Sequence, residues 1–144
     1  MYKILVATDG SVQSRTTIDE AARIAAPLKA EVTVLAVVEG PESMTYASSI
    51  PTDVMSRVRQ DQEKYYAKAV EEAKAKLAEK GIQARALVLR GDPVDLICGT
   101  AEKENADLIV VGRRRLGKLE GMFLGSVSNK VMLNDKTSVM VVKQ

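Results

Sequence analysis

Five short apolar runs, separated by charged sequence with helical periodicity, restrict what this chain can fold into more than any other feature. They are Tyr2 to Thr8 (YKILVAT), Glu31 to Val38 (EVTVLAVV), Ile82 to Arg90 (IQARALVLR), Asp107 to Val111 (DLIVV) and Ser138 to Lys143 (SVMVVK). Runs this rich in Val and Ile, nearly continuous rather than alternating, fit strands buried on both faces. Between the first two, Ile18, Ala21, Ala22, Ala25 and Leu28 recur at helical spacing, which predicts a helix from about Val12 to the late twenties. Val54, Val58, Tyr65, Ala69, Ala73 and Leu77 predict a long surface helix from Asp53 to Lys80. Strands that alternate with helices argue for an open α/β domain with a mainly parallel sheet. A length of 144 residues matches one such domain, covering 1–144.

The punctuation between the runs agrees with this layout. Asp9-Gly10-Ser11 ends the first run, and Pro27 should weaken the last turn of the helix that follows. Glu39 to Pro51 reads as a long loop. Asp53 is the expected N-cap of the long helix, which Gly81 ends. Gly91-Asp92-Pro93 supplies a turn, an N-cap and a proline suited to the first helical position. The helix it opens, to about Glu104, is expected to bury Val94, Ile97, Cys98 and Ala101. A short helix is expected at roughly Ser126 to Asn134.

Composition removes several function classes. With no His in the chain, a Ser-His-Asp triad, a Cys-His pair and every His-containing metal site are excluded. A formal net charge of +2 and an aromatic content of 3% count against nucleic acid as the main ligand. Cys98 stands alone, so no internal disulfide is possible, and on its apolar stripe it reads as a structural thiol. The opening MYKILVATDG lacks the pattern of a signal peptide, and no apolar run is long enough to span a membrane. A soluble, cytoplasmic protein is the expectation.

The stretch Asp107 to Lys130, DLIVVGRRRLGKLEGMFLGSVSNK, carries the chemistry. A buried strand ends at Gly112, a basic loop punctuated by glycine follows, and a helix is expected near Ser126 and Ser128. Strand, glycine-rich loop and helix N-terminus together present unpaired N–H groups and a positive dipole end, which is what a phosphate requires. Gly112 to Lys118 matches GxxxxGK, but Leu119 stands where a P-loop needs the Ser or Thr that binds Mg²⁺. A working P-loop is therefore excluded.

Four segments taken in order, Val6-Ala7-Thr8-Asp9-Gly10-Ser11, Gly91-Asp92-Pro93, Val110-Val111-Gly112 and Leu124-Gly125-Ser126-Val127-Ser128, resemble the universal stress protein family over essentially the whole chain. The resemblance implies a doubly wound, Rossmann-like domain with strand order 3-2-1-4-5, usually dimeric, and in one branch an adenine-nucleotide site for ATP or AMP. By that carry-over Ala7, Thr8, Asp9, Val37, Val111, Gly112, Gly125, Ser126, Val127 and Ser128 would line the nucleotide. Asp9 would contact the nucleoside, with helix capping as its ordinary alternative role, and the backbone at Val37 would read adenine. Capping is likewise the ordinary role of Ser126 and Ser128.

One position departs from the family's phosphate loop. Its second glycine is replaced by Arg115, which brings a Cβ and a preference against positive φ. Either Arg115 reshapes the cradle so that ATP is not held, or the loop shifts to Gly117 while Arg113, Arg114 or Arg115 supplies charge-assisted contacts. Three functions follow from these residues: a nucleotide-binding regulatory or stress-response protein; a slow ATP hydrolase with Mg²⁺ or Mn²⁺ held through the phosphates; or a nucleotide-free interaction module using the arginines. The last strand is apolar on both faces yet terminal in the implied order, so pairing through Val139 and Val141 with a second chain would cover it and give a homodimer.

Overall fold

Each apolar run forms a strand, and the stretches between the first four supply three helices. The computed structural model describes residues 1–39, 49–112 and 136–143. In chain order its elements are β1 (Lys3–Thr8), α1 (Ser14–Leu28), β2 (Glu31–Val38), α2 (Thr52–Glu79), β3 (Ala84–Arg90), α3 (Pro93–Glu104), β4 (Leu108–Gly112) and β5 (Ser138–Val142). The strands form one sheet in the order β3-β2-β1-β4-β5, and every neighbouring pair is parallel. This is the doubly wound order that the resemblance implied. The helix expected at Ser126 to Asn134 and most of the loop expected at Glu39 to Pro51 lie outside the described residues.

Burial on both faces explains the continuous apolar runs. Ile4, Val6, Val32, Val34, Ala36 and Val110 pack toward α1 and α2, meeting Ile18, Ala21, Ala25, Val70 and Leu77. Leu5, Ala7, Leu35, Val37, Ile109 and Val111 point the other way and meet Ile97 and Ala101 of α3. The stripe expected on α3 is present, with Val94 and Cys98 half-buried against that second cluster. Asp92 caps this helix, accepting from the Asp95 N–H at 3.0 Å, and Pro93 occupies its first turn. No described helix is long and apolar enough to cross a membrane.

Several boundaries differ from the sequence expectation for local reasons. α1 begins at Ser14 rather than Val12 because Ser14, Arg15 and Thr16 first donate to the carbonyls three residues back, Ser11, Val12 and Gln13. Pro27 lies within the final turn without ending it. The helix closes two residues later, where Lys29 turns left-handed at φ 51 and the Ala30 N–H returns to the Ala25 carbonyl at 3.0 Å. β3 starts at Ala84 because Ile82 serves the end of α2, donating to the Leu77 carbonyl at 3.0 Å. Asp53 is in the first turn of α2, not at its N-cap, which is Pro51.

The long helix also departs from its expected stripe. Only Val70, Ala73 and Leu77 are buried, whereas Val54 is 44% exposed and Tyr65 52%. Gln62 lies level with the ends of β2 and β3, where it bonds to the Glu39 carbonyl and receives from Arg90. The ten helical residues before it, Thr52 to Asp61, span about 15 Å at 1.5 Å per residue.

Asp19 joins the two helices on that face, with Lys76 Nζ at 2.9 Å and Lys80 Nζ at 3.4 Å. The hydrogen bond from Lys76, more than any other influence, holds the Asp19 carboxyl below its ordinary range, against a smaller opposing effect of burial. A depressed carboxyl stabilises the fold above its unfolded value of about 3.9 and loses that contribution as pH falls through the lower folded value. The pair is solvent-screened, so Asp19→Asn is expected to reduce stability at pH 7 by no more than about 1 kcal/mol. In urea titrations the gap between variant and wild type should narrow as pH falls below the ordinary carboxylate value of about 3.9; a gap that does not shrink with acidification would contradict this assignment.

Candidate functional site

Order reverses between β1 and β4: β1 leads to β2 on one side, while the chain returns from β3 to β4 on the other. In open parallel sheets this switch point leaves a crevice at the carboxyl ends of the strands, because the two connections leave toward opposite faces. Val6 pairs with Val110, so two residues further on Thr8 and Gly112 end their strands at the same edge. Thr8 also pairs with Ala36 of β2. One residue beyond that pair stand Asp9 on the first strand's exit and Val37 on the second.

The exit of β1 is shaped by its own side chains. Thr8 Oγ1 accepts from the Gly10 N–H at 3.2 Å, and Asp9 Oδ1 accepts from the Ser11 N–H at 2.8 Å. Ser11 Oγ accepts from the Ser14 N–H at 3.2 Å, so Ser11 rather than Asp9 serves the start of α1. Among the described residues Oδ2 of Asp9 has no hydrogen-bond donor, and the carboxylate is half-buried at the head of the crevice.

On its α2 side the same turn is closed. Gly10 has φ 77, and a Cβ there would lie 3.0 Å from both Cε1 and Oη of Tyr65 and 3.1 Å from Cβ of Ala69. The cavity beneath, lined by Thr8, Ser11, Ser14 and Lys76 among others, holds about 60 Å³. That volume admits water but not a nucleoside, since small-molecule sites run to about 300 Å³ or more. Two strands away, Arg90 Nη1 donates to Gln62 Oε1 at 3.2 Å and Nη2 stands 3.7 Å from Glu63 Oε1. These contacts brace the same edge, and periodicity gave no sign of them because they join an exposed helix face to strand ends. Among the described residues no three His, Cys, Asp or Glu side chains gather as a metal site.

The fold that carries this edge has counterparts in known proteins. The model of the universal stress protein family matches residues 1–143. The chain belongs to that family. Its relatives include the universal stress protein YxiE of Bacillus subtilis, 37% identical, with 98% of each chain covered. A universal stress protein solved in complex with cAMP is 27% identical, with a TM-score of 0.72 over 99% of this chain and 96% of that one. UspA from Lactobacillus plantarum, 24% identical, shares the fold at a TM-score of 0.84 over 98% of this chain and 97% of that one.

Of the residues that the family resemblance points to, Ala7, Thr8, Asp9, Val37, Val111 and Gly112 lie at or beside the carboxyl ends of the three central strands. Ala7, Val37 and Val111 are buried in the cluster under α3, so their side chains are core and only their backbone can face a ligand. Arg113, Arg115, Gly117, Gly125, Ser126, Val127 and Ser128 lie outside the described residues. Tyr65, expected in the core stripe of α2, instead touches the Asp9 turn. The glycine in that turn meets two restrictions, positive φ and a crowded Cα, whereas Gly81 has the same φ of 77 and nothing within 4 Å. Gly81→Ala is expected to cost about 1 kcal/mol from backbone strain, and Gly10→Ala measurably more. Equal losses in urea unfolding would mean that the Tyr65 contact does not form.

Proposed function

We propose that this universal stress protein is an adenine-nucleotide-binding regulatory or stress-response protein, taking ATP or AMP in the crevice between β1 and β4. The observation that carries the reading is the parallel register that sets Asp9, Val37 and Gly112 around one switch point, with Asp9 Oδ2 open to a donor among the described residues. A carboxylate so placed accepts hydrogen bonds from ribose hydroxyls or a base amino group, and these are stronger than neutral ones. The backbone at Val37 offers the donors and acceptors that tell one base from another. Gly112 opens the loop whose far end, Gly125 to Ser128, would meet the phosphates, with Arg113 and Arg115 adding charge and Gly117 a flexible point. The relative in complex with cAMP supports an adenine nucleotide as the ligand class. Mg²⁺ or Mn²⁺, when present, would arrive bound through the phosphates.

The active form in this reading is a homodimer joined through β5. That strand ends the sheet beside β4, with Val139 and Val141 half-buried against the α3-side cluster. An open strand edge of this kind invites pairing with another strand, and a two-fold axis would let two copies cover each other.

Calorimetric titration of nucleotide-free protein with AMP and ATP should give saturable heat, and Asp9→Asn should weaken AMP binding about tenfold or more. No heat and no thermal shift at millimolar nucleotide would sink the reading. For the assembly, light scattering after size exclusion should find a dimer that Val141→Asp converts to monomer. A monomeric wild type would remove the interface.

A further inference from the structure

Tyr65 has no role in the core, where its helical spacing would place it; it is 52% exposed, yet its ring edge and hydroxyl lie against Gly10. The turn it touches holds the carboxylate of Asp9. Within the turn, Thr8 Oγ1 holds the Gly10 N–H and Asp9 Oδ1 holds the Ser11 N–H. Neither bond restrains the α2 side of Gly10, whose missing Cβ leaves it the most permissive residue of the segment. Tyr65 and Ala69 fill that side. Tyr65 is braced in turn, edge-on to Tyr66 with ring centroids 5.0 Å apart, and Tyr66 packs on the core beneath α1 and α2. One turn earlier on the helix, Gln62 is tied to the Glu39 carbonyl and to Arg90.

We infer that Tyr65 is a positioning residue for the nucleotide site: its ring, pressed on Gly10, fixes the turn that aims the Asp9 carboxylate into the crevice. The inference rests on the adenine-nucleotide reading of that site. It assigns to an exposed helix residue an effect on binding that runs through Asp9 alone, with the ring rather than the hydroxyl as the working part.

AMP is titrated calorimetrically into wild type, Tyr65→Ala, Tyr65→Phe, Asp9→Asn and the double variant Tyr65→Ala/Asp9→Asn. Tyr65→Ala should weaken AMP binding about tenfold and Tyr65→Phe by no more than about twofold. Tyr65→Ala should add almost nothing to Asp9→Asn, since groups that act through one another are not additive. Unchanged affinity in Tyr65→Ala, or losses that add, would overturn the inference. A second measurement needs no nucleotide: the Ser11 amide, bonded to Asp9, should exchange its hydrogen faster in Tyr65→Ala but not in Tyr65→Phe. Unchanged exchange also overturns it. If wild type binds no AMP, the proposed function falls, while the exchange comparison still decides whether Tyr65 holds the turn.

Discussion

The pairing of the first strand with the fourth is the constraint on which the rest of the carboxyl edge depends. Because both strands are buried on both faces, a slip of one residue would exchange one apolar set for another, and the hydrophobic pattern alone specifies register weakly. Polar groups at the strand starts supply what the pattern lacks. The Lys3 N–H donates to Asp107 Oδ2 at 2.8 Å, and the Asp107 N–H donates to the Lys3 carbonyl at 2.8 Å, across 104 residues of chain. These reciprocal bonds seat Ile4 opposite Leu108, and every residue from there to Asp9 and Gly112 follows.

A second asymmetry lies in how the helices close. Each of the three described helices closes on a left-handed residue, Lys29, Gly81 or Asn105, and the residue after it donates back to Ala25, Leu77 or Ala101. This closure satisfies the last carbonyls and turns the chain into the next strand within a few residues. Among the described residues, connections at the amino edge are therefore tight, while the segments after β1 and β2 leave from the carboxyl edge.

Much of the fold was legible in the residues, and the exceptions share one cause. The five strands, the cap at Asp92 and the stripe of Ile97 and Ala101 follow from local chemistry and periodicity. The apolar pattern of Ile82 to Arg90 makes Ile82 the expected start of a strand; its backbone is spent on closing α2. Tyr65 and Val54 recur at helical spacing and are expected in the core, yet both are exposed, Tyr65 against the Asp9 turn and Val54 in the first turn of the helix, ahead of the strand ends. Spacing reports which face of a helix is apolar, not how far the neighbouring element extends. Within the candidate site, Asp9 and Gly112 were legible from their motifs, while the contact of Tyr65 with Gly10 was not, because it joins residues with no shared local pattern.

By itself the sequence determined the class of fold, the absence of histidine chemistry and the motif residues that mark the family, since each depends on residue type and short spacing. Tertiary structure decided which strand ends meet, which of the marked residues have side chains buried in the core, and which side of the Asp9 turn is closed. Those outcomes depend on register and on distances between segments far apart in the chain. They are set by pairs such as Lys3 with Asp107 and Gly10 with Tyr65, whose energies exist only once the sheet and its covering helices are assembled.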